Sequence, residues 1–348
     1  MNGPFDAPSP PGSEFDLPAL GARSVPSAAF DAPASAWNRA VDPAGTVDTL
    51  CARTEWLWSF HEVFLPARPL LCWQRGDDLL AFAASRVPGI GPVFEPIETH
   101  WLFGACLLGT GATRLLWDVL VALQRGQPAR APRAVLVSGL VDAEPLLEQG
   151  AAVGLPVFGQ TLAPVQLRSA SLAGGIGGWL MRRSGHFRRR LRAGLRRVDA
   201  EGVTAERHCP SDATSAAELY ERMLDVERRS WKGLGACGMA EPGSREFYGV
   251  MLRRLAAGGH ARVLFARHRG HDVGFVFGGC VDGIYRGQQF SFDASWTHHS
   301  LGNWLQWQQL LWLTEAGAER YDLGPLMDYK VHWAEQELRS AAVVLRFG

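Results

Sequence analysis

The apolar positions of this chain change period repeatedly, and each change marks an element. Residues 54–64 are aromatic-rich and predict a helix. Residues 69–73 and 79–85 predict two short strands around the turn Arg75-Gly76-Asp77-Asp78. In 113–124, Leu116, Leu120 and Leu123 fall on one stripe of an amphipathic helix, and 134–138 is a short β-type run. The glycine-rich passage 172–178 predicts a joint between two domains; it lacks the strand-then-helix context of a phosphate loop.

In 186–198, Phe187, Leu191, Leu195 and Val198 share one helical face, and the other positions are nearly all arginine: Arg188, Arg189, Arg190, Arg192, Arg196 and Arg197. Two readings stay open for that face. It is either solvated, or it recognises an anion, whether an acidic carrier protein, a coenzyme A phosphate or a tRNA backbone. Pro210-Ser211-Asp212 starts a helix with Leu219, Met223 and Val226 as its buried stripe. A second helix is expected to have Ser244 as N-cap and Gly258-Gly259 as its stop. A meander follows, with strands at 261–268, 273–281 and 284–292; Asp282-Gly283 is a strong hairpin signal. A loop over 293–300 leads into a helix over 302–316 closed by Gly317, and strands are expected at 321–324 and 340–347.

The length of 348 residues predicts two domains, and 47% apolar with 20% charged residues is ordinary globular composition. Zero formal net charge excludes a global field for nucleic acid or an anionic membrane, so charge recognition falls to local patches. Of the 35 basic residues only Lys232 and Lys330 are lysines. A G- and C-rich genome accounts for the arginines and makes the two lysines stand out, because arginine cannot replace a compact, titratable ammonium. Six scattered cysteines without a CxxC pair predict reduced thiols in the cytoplasm. Residues 1–37 show no basic n-region or apolar h-region and predict a flexible tail. No eighteen-residue apolar window predicts a membrane span. His298-His299 point apart without a carboxylate–histidine motif, so no metal is expected.

The order helix, helix, three antiparallel strands, loop, helix, strand, strand is joined by four stretches: 187–192, Glu227 to Gly233, Tyr285 to Asp293 with Ser300-Leu301-Gly302, and Tyr321-Asp322-Leu323-Gly324 followed by Tyr329-Lys330 and Trp333. On these, residues 179–333 resemble the GNAT-like acetyltransferase domain of CelD-like proteins and Fem-type peptidyltransferases. The N-terminal half resembles a divergent first copy. The resemblance implies an α/β (α+β) class with tandem GNAT-like folds, each a mixed central sheet flanked by helices. The expected layout is a tail at 1–36, a divergent domain at 37–170 and an acyltransferase domain at 171–348.

The resemblance further implies that strands 284–292 and 321–324 splay, so that an acyl-pantetheine arm inserts between them. His299, Ser300, Gly302 and Asn303 would then serve the donor's pyrophosphate at a helix N-terminus, with Arg188 and Arg192 as further donor-binding residues. Gly302 matches the family's loop, whereas His299 and Trp304 depart from it. The donor stays open among acyl-CoA, an acyl-carrier protein and aminoacyl-tRNA. Tyr329 and Lys330 are implied at the active centre, Lys330 for the oxyanion or a phosphate and Tyr329 as acid, with Glu227 and Asp322 as candidate bases. Tyr285, Gln288 and Ser291 are expected on one strand face and, with Trp231, to line the acceptor pocket. The stripe Trp304, Trp307 and Leu311 reads as core or as a pocket for a long acyl chain. No Ser/His/Asp or Cys/His set appears, so a neutral amine is expected to attack the thioester directly. The expected activity is N-acyl transfer to a small molecule, an amino sugar or a peptide. Aminoacyl-tRNA-dependent peptidyl transfer and a degenerate, non-catalytic binding module remain as alternatives.

Overall fold

The computed structural model describes residues 21–348 and divides into two compact units, residues up to 165 with 339–348, and residues 166–338. Unit 1 runs β1 (Arg23–Ser24), α1 (Ala36–Ala40), α2 (Thr54–Phe64), β2 (Leu70–Arg75), β3 (Asp78–Val87), β4 (Gly91–Glu95), β5 (Leu107–Leu108), α3 (Ala112–Gly126), β6 (Ala134–Leu140), α4 (Glu144–Ala152) and β7 (Val157–Thr161). β1 to β4 form an antiparallel meander, and α3 returns the chain so that β6 lies parallel to β4. The stripe read from sequence is the buried face of α3: Leu116, Leu120 and Leu123 pack with Phe82, Phe94 and Val137.

Residues 1–20 of the expected tail lie outside the described residues. Packed structure begins before Trp37, because Phe30 is buried with its ring 5.6 Å from that of Trp37. Ser35 also caps α1 by accepting from the Asn38 N–H.

Unit 2 runs β8 (Val165–Ser171), α5 (Gly175–Met181), α6 (Gly185–Ala200), β9 (Thr204–His208), α7 (Ala213–Arg229), α8 (Trp231–Leu234), α9 (Ser244–Ala257), β10 (Ala261–His268), β11 (His271–Val281), β12 (Ile284–Phe292), α10 (Leu301–Glu315) and β13 (Arg320–Pro325). The strand order is β8-β13-β12-β11-β10-β9, antiparallel throughout except for the β12/β13 pair. Two local expectations are corrected. The glycine passage is not a joint: Gly174 and Gly175 take positive φ to turn into α5, whose buried Trp179 donates to the Trp333 carbonyl within unit 2. Ser244 is the first helical residue of α9, not its cap. Gly243 (φ 80°) precedes it, and the Glu246 carboxylate accepts from the Gly243 N–H.

The last strand, β14 (Gln336–Phe347), was expected in the second domain. It lies instead between β6 and β7 of unit 1, antiparallel to both. Val343, Leu345 and Phe347 complete the apolar layer around Val135 and Val137, which a strand of unit 2 could not do. Each unit follows one plan: an antiparallel meander, a helix, and a strand that returns parallel to the meander's last member. Among the described residues no helix is long and apolar enough to cross a membrane.

Candidate active site

In unit 2 the parallel pair β12/β13 opens after three residues. Ile284, Tyr285 and Arg286 pair with Arg320, Tyr321 and Asp322, and the register stops there although β12 continues to Phe292. Two irregularities cause the opening. On β12, the partners pass from Gly278↔Gly287 to Phe277↔Gln289, so Gln288 is an extra, bulged residue, and a bulge bends its strand. On β13, the pairing with β8 shifts between Asp322 and Gly324, and Gly324 takes φ 80°. The backbone of Gly287–Phe292 is left facing a wedge.

Both lysines sit on the walls of that wedge. Lys232 donates from Nζ to the Phe290 carbonyl at 2.9 Å and to Gln289 Oε1 at 3.0 Å, both on β12. Lys330, 6% exposed, donates from Nζ to the Pro325 carbonyl at 2.9 Å, at the end of β13. An aromatic pair links the two walls: the Phe290 ring is 5.9 Å from Lys232 Nζ, it lies 5.9 Å, edge-on, from the Tyr329 ring, and Lys330 Nζ is 5.9 Å from the Tyr329 ring. Arg286, 3% exposed, is the third cation; its guanidinium donates to the Gly287 carbonyl and lies where a side chain on Gly324 would have to go. Burial first, then the charges of Arg286 and Lys232, pull the Lys330 ammonium down to about 7. Burial also lowers the Lys232 pKa, against the opposing pull of Glu227. Burial pushes the Tyr329 hydroxyl up to about 12. The wedge therefore holds a lysine that titrates near neutrality beside a phenol that keeps its proton.

The remaining expected residues divide. Glu227 is fully buried, accepting from the Met239 N–H at 3.1 Å and from Ser230 Oγ at 3.4 Å, so its carboxylate fixes the turn after α7. Asp322 accepts from Ser169 Oγ at 2.6 Å and Arg320 Nη2 at 2.9 Å, which ties β13 to β8. Tyr285 and Ser291 do not share a face, because the extra residue at Gln288 reverses the alternation. Tyr285 packs with Leu310, Leu313 and Tyr321, while neighbouring Gln289, on the opposite side from Phe290, donates to the Tyr248 hydroxyl of α9. Among the described residues, Ser291 Oγ, Gln288 Nε2 and the Tyr285 hydroxyl are buried without a hydrogen-bond partner. Trp231 is 60% exposed, and Leu234, Leu326, Met327 and Val331 are exposed near the two lysines in sequence.

α10 opens at Ser300, whose φ of 67° turns the chain out of the short helix Ala294–His299, and no side chain caps it. His299, Gly302 and Asn303 stand at this start. Gly302 lies so close to Phe292 that a Cβ would be 2.9 Å from its ring. α6 packs against the same start. Gly194 admits Ser300, and Arg197 donates to Ser300 Oγ at 3.0 Å. Arg188 is half-buried and Arg192 exposed on α6. Trp304 is buried and donates to Asp199 of α6 at 2.8 Å, so this member of the tryptophan stripe is core. Among the described residues no group of three or more His, Cys, Asp or Glu could hold a metal ion. Sequence reasoning missed Arg286 altogether and marked Lys232 only by its rarity.

Residues 185–331 match the sequence profile of the Acetyltransferase (GNAT) domain family. No curated protein matches the chain. Among solved structures, a conserved protein of unknown function from Bacteroides thetaiotaomicron VPI-5482 aligns with TM-score 0.61 at 9% identity, over 93% of this chain and 99% of that one. FemX aligns with TM-score 0.61 at 10% identity, over 88% and 94%. L-PGS from Bacillus licheniformis aligns with TM-score 0.52 at 14% identity, over 85% and 92%. The C-terminal half thus carries a GNAT acetyltransferase-type domain, and the likeness in fold to FemX extends through both units.

Proposed function

We propose that unit 2 is an N-acyltransferase that moves an acyl group from a thioester, acyl-CoA or an acyl-carrier protein, to an amine of a small molecule, an amino sugar or a peptide in the cytoplasm. The observation that carries this reading is the wedge with a lysine on each wall. A pantetheine arm laid between the strands pairs with those backbone groups of β12 beyond Arg286 that face away from β11, where the register with β13 has ended. The donor's phosphates lie at the start of α10, at His299, Ser300, Gly302 and Asn303, with Arg192 and then Arg188 further along α6. The acceptor enters past Trp231, Gln288 and Ser291.

The acceptor nitrogen attacks the thioester carbonyl; the C–N bond forms and the C–S bond breaks. Two cations and no contacting carboxylate surround Lys330, so its neutral form is favoured and its Nζ takes the proton that the ammonium must lose. Tyr329, held protonated, donates to the departing thiolate. Glu227 and Asp322, engaged elsewhere, hold the walls. Lys232→Met removes one like charge beside Lys330, so the acid limb of the activity profile should move up by about 0.3–0.5 pH unit. An unmoved limb in pH–rate measurements would argue against that coupling.

The test is thiol release, followed by mass spectrometry, from a panel of acyl-CoA and acyl-carrier-protein donors with amine acceptors, comparing wild type with Lys330→Ala. Release that depends on Lys330 supports the reading. Equal release by both proteins, or none from any donor, overturns it, and the degenerate module then takes its place.

A further inference from the structure

Unit 2 neutralises many of its arginines within itself. Arg222 pairs with Glu206 and Asp272, Arg229 with Asp293, Arg245 with Glu221 and Arg320 with Asp322. α6 carries the largest unpaired set; among the described residues Arg253, Arg262 and Arg269 also form no ion pair, but they are scattered. The buried stripe of α6 is Leu191, Gly194 and Val198. The opposite side carries six arginines between Arg188 and Arg197, and among the described residues none of them forms an ion pair. At 1.5 Å per residue this unpaired face is about 14 Å long. That exceeds what one pyrophosphate covers, so the donor's nucleotide alone does not account for it.

The position of the face is specific. At one end Phe187 stacks on His332, 6.0 Å away, in the short helix Asp328–His332 that carries Lys330. At the other end Gly194 and Arg197 touch Ser300, at the start of α10. α6 therefore runs along the mouth of the wedge, from the catalytic lysine to the donor's helix. Met181, 77% exposed, stands three residues before the Ser184 cap of α6 and adds an apolar edge.

We propose that the arginine face of α6 docks an acidic, helical carrier protein, whose pantetheine-linked acyl group then enters the wedge. The inference rests on the acyl-transfer reading and names the donor's partner. Arginine forks suit the carboxylates along an acidic helix, and Met181 suits an apolar residue on it. A nucleic acid would need a wider basic field. Here six unpaired arginines are concentrated on one helix, many other arginines of unit 2 are paired internally, and the chain's formal net charge is zero.

The probe is a fluorescently labelled holo-acyl-carrier protein from a bacterial fatty acid synthase, titrated with the full chain at low and moderate salt. Wild type should bind it, more weakly as salt rises. The triple variant Arg189→Glu/Arg190→Glu/Arg196→Glu, on exposed positions and checked for an unchanged melting temperature, should bind at least about tenfold more weakly. Absence of binding by wild type, or equal binding by the variant, overturns the proposal. So does bulk tRNA binding that depends on these arginines while the carrier does not bind. Thiol release from acyl-pantetheine, measured in the same preparation, separates the two claims. Lys330-dependent release without carrier binding sinks the docking surface alone, and carrier binding without release sinks the acyl-transfer reading.

Discussion

Replacing Lys330 with alanine should lower acyl transfer by about 10²–10⁴-fold, the range that a positioned general base contributes. Lys330→Arg should not restore it, because a guanidinium stays charged throughout the working pH range. The pH profile tests the role directly. If the neutral amine is the active form, activity rises with pH through about 7 and levels off above it. A profile that falls through the same range would mean that Lys330 works as a fixed cation. The same residue shapes stability. Its folded pKa lies below the ordinary lysine value, so between about 7 and 10.5 the unfolded chain binds more protons, and stability increases with pH across that window. At pH 6 the buried charge is destabilising. Lys330→Met should therefore stabilise the fold there, by on the order of 1–3 kcal/mol, while abolishing activity. Thermal melts of both proteins at pH 6 and pH 10 decide this, and a variant less stable than wild type at pH 6 would contradict it.

The largest expected structural effect comes from a single methyl group at the bulge. A Cβ on Gly278 would sit 2.2 Å from the Arg286 carbonyl oxygen and 2.8 Å from the Tyr285 ring and hydroxyl. The first obstacle is backbone and the second is a fully buried side chain, so neither can step aside. Gly278→Ala must push β11 and β12 apart where the wedge begins. The cost should be about 3 kcal/mol or more, which lowers the melting temperature by roughly 6–12 °C for a unit of this size. Tyr285→Phe in the same chain removes only the hydroxyl and leaves the carbonyl clash, so it should not rescue the loss. Calorimetry of wild type and the two variants is the measurement; a Gly278→Ala protein that melts like wild type would show that the strands can shift cheaply.

Much of unit 2 could be read from sequence because its signals are local. The run 261–268 carries the apolar stretch Val263 to Ala266, Asp282-Gly283 marks its own turn, and Asp212 accepts from Thr214 and Ser215 as a cap should. The interior of the site was less accessible. Nothing in Ile284–Phe292 announces which residue is surplus, and one surplus residue sends Tyr285 and Ser291 to opposite faces. Arg286 reads as an ordinary strand residue; its burial depends on Gly324 having no side chain, 38 positions away. Lys232 stood out by rarity, yet its partners Gln289 and Phe290 lie on a strand far along the chain. Glu227 read as a candidate base at a helix end because the Gly238–Met239 turn that covers it is irregular. Rules of periodicity predict elements well, but long-range burial of a polar group follows from packing that no period encodes.

The return of β14 to unit 1 bears on how the nascent chain acquires its structure. Synthesis proceeds from the N-terminus, so the residues that fill the gap between β6 and β7 are made only after all of unit 2. Until then unit 1 lacks Val343, Leu345 and Phe347, and it exposes two unpaired strand edges beside an open apolar layer. Unit 2 has its sheet complete by β13 and can fold first, an inversion of the usual N-to-C order. During that interval the earlier half of the polypeptide is the part exposed to misassembly and in need of chaperoning.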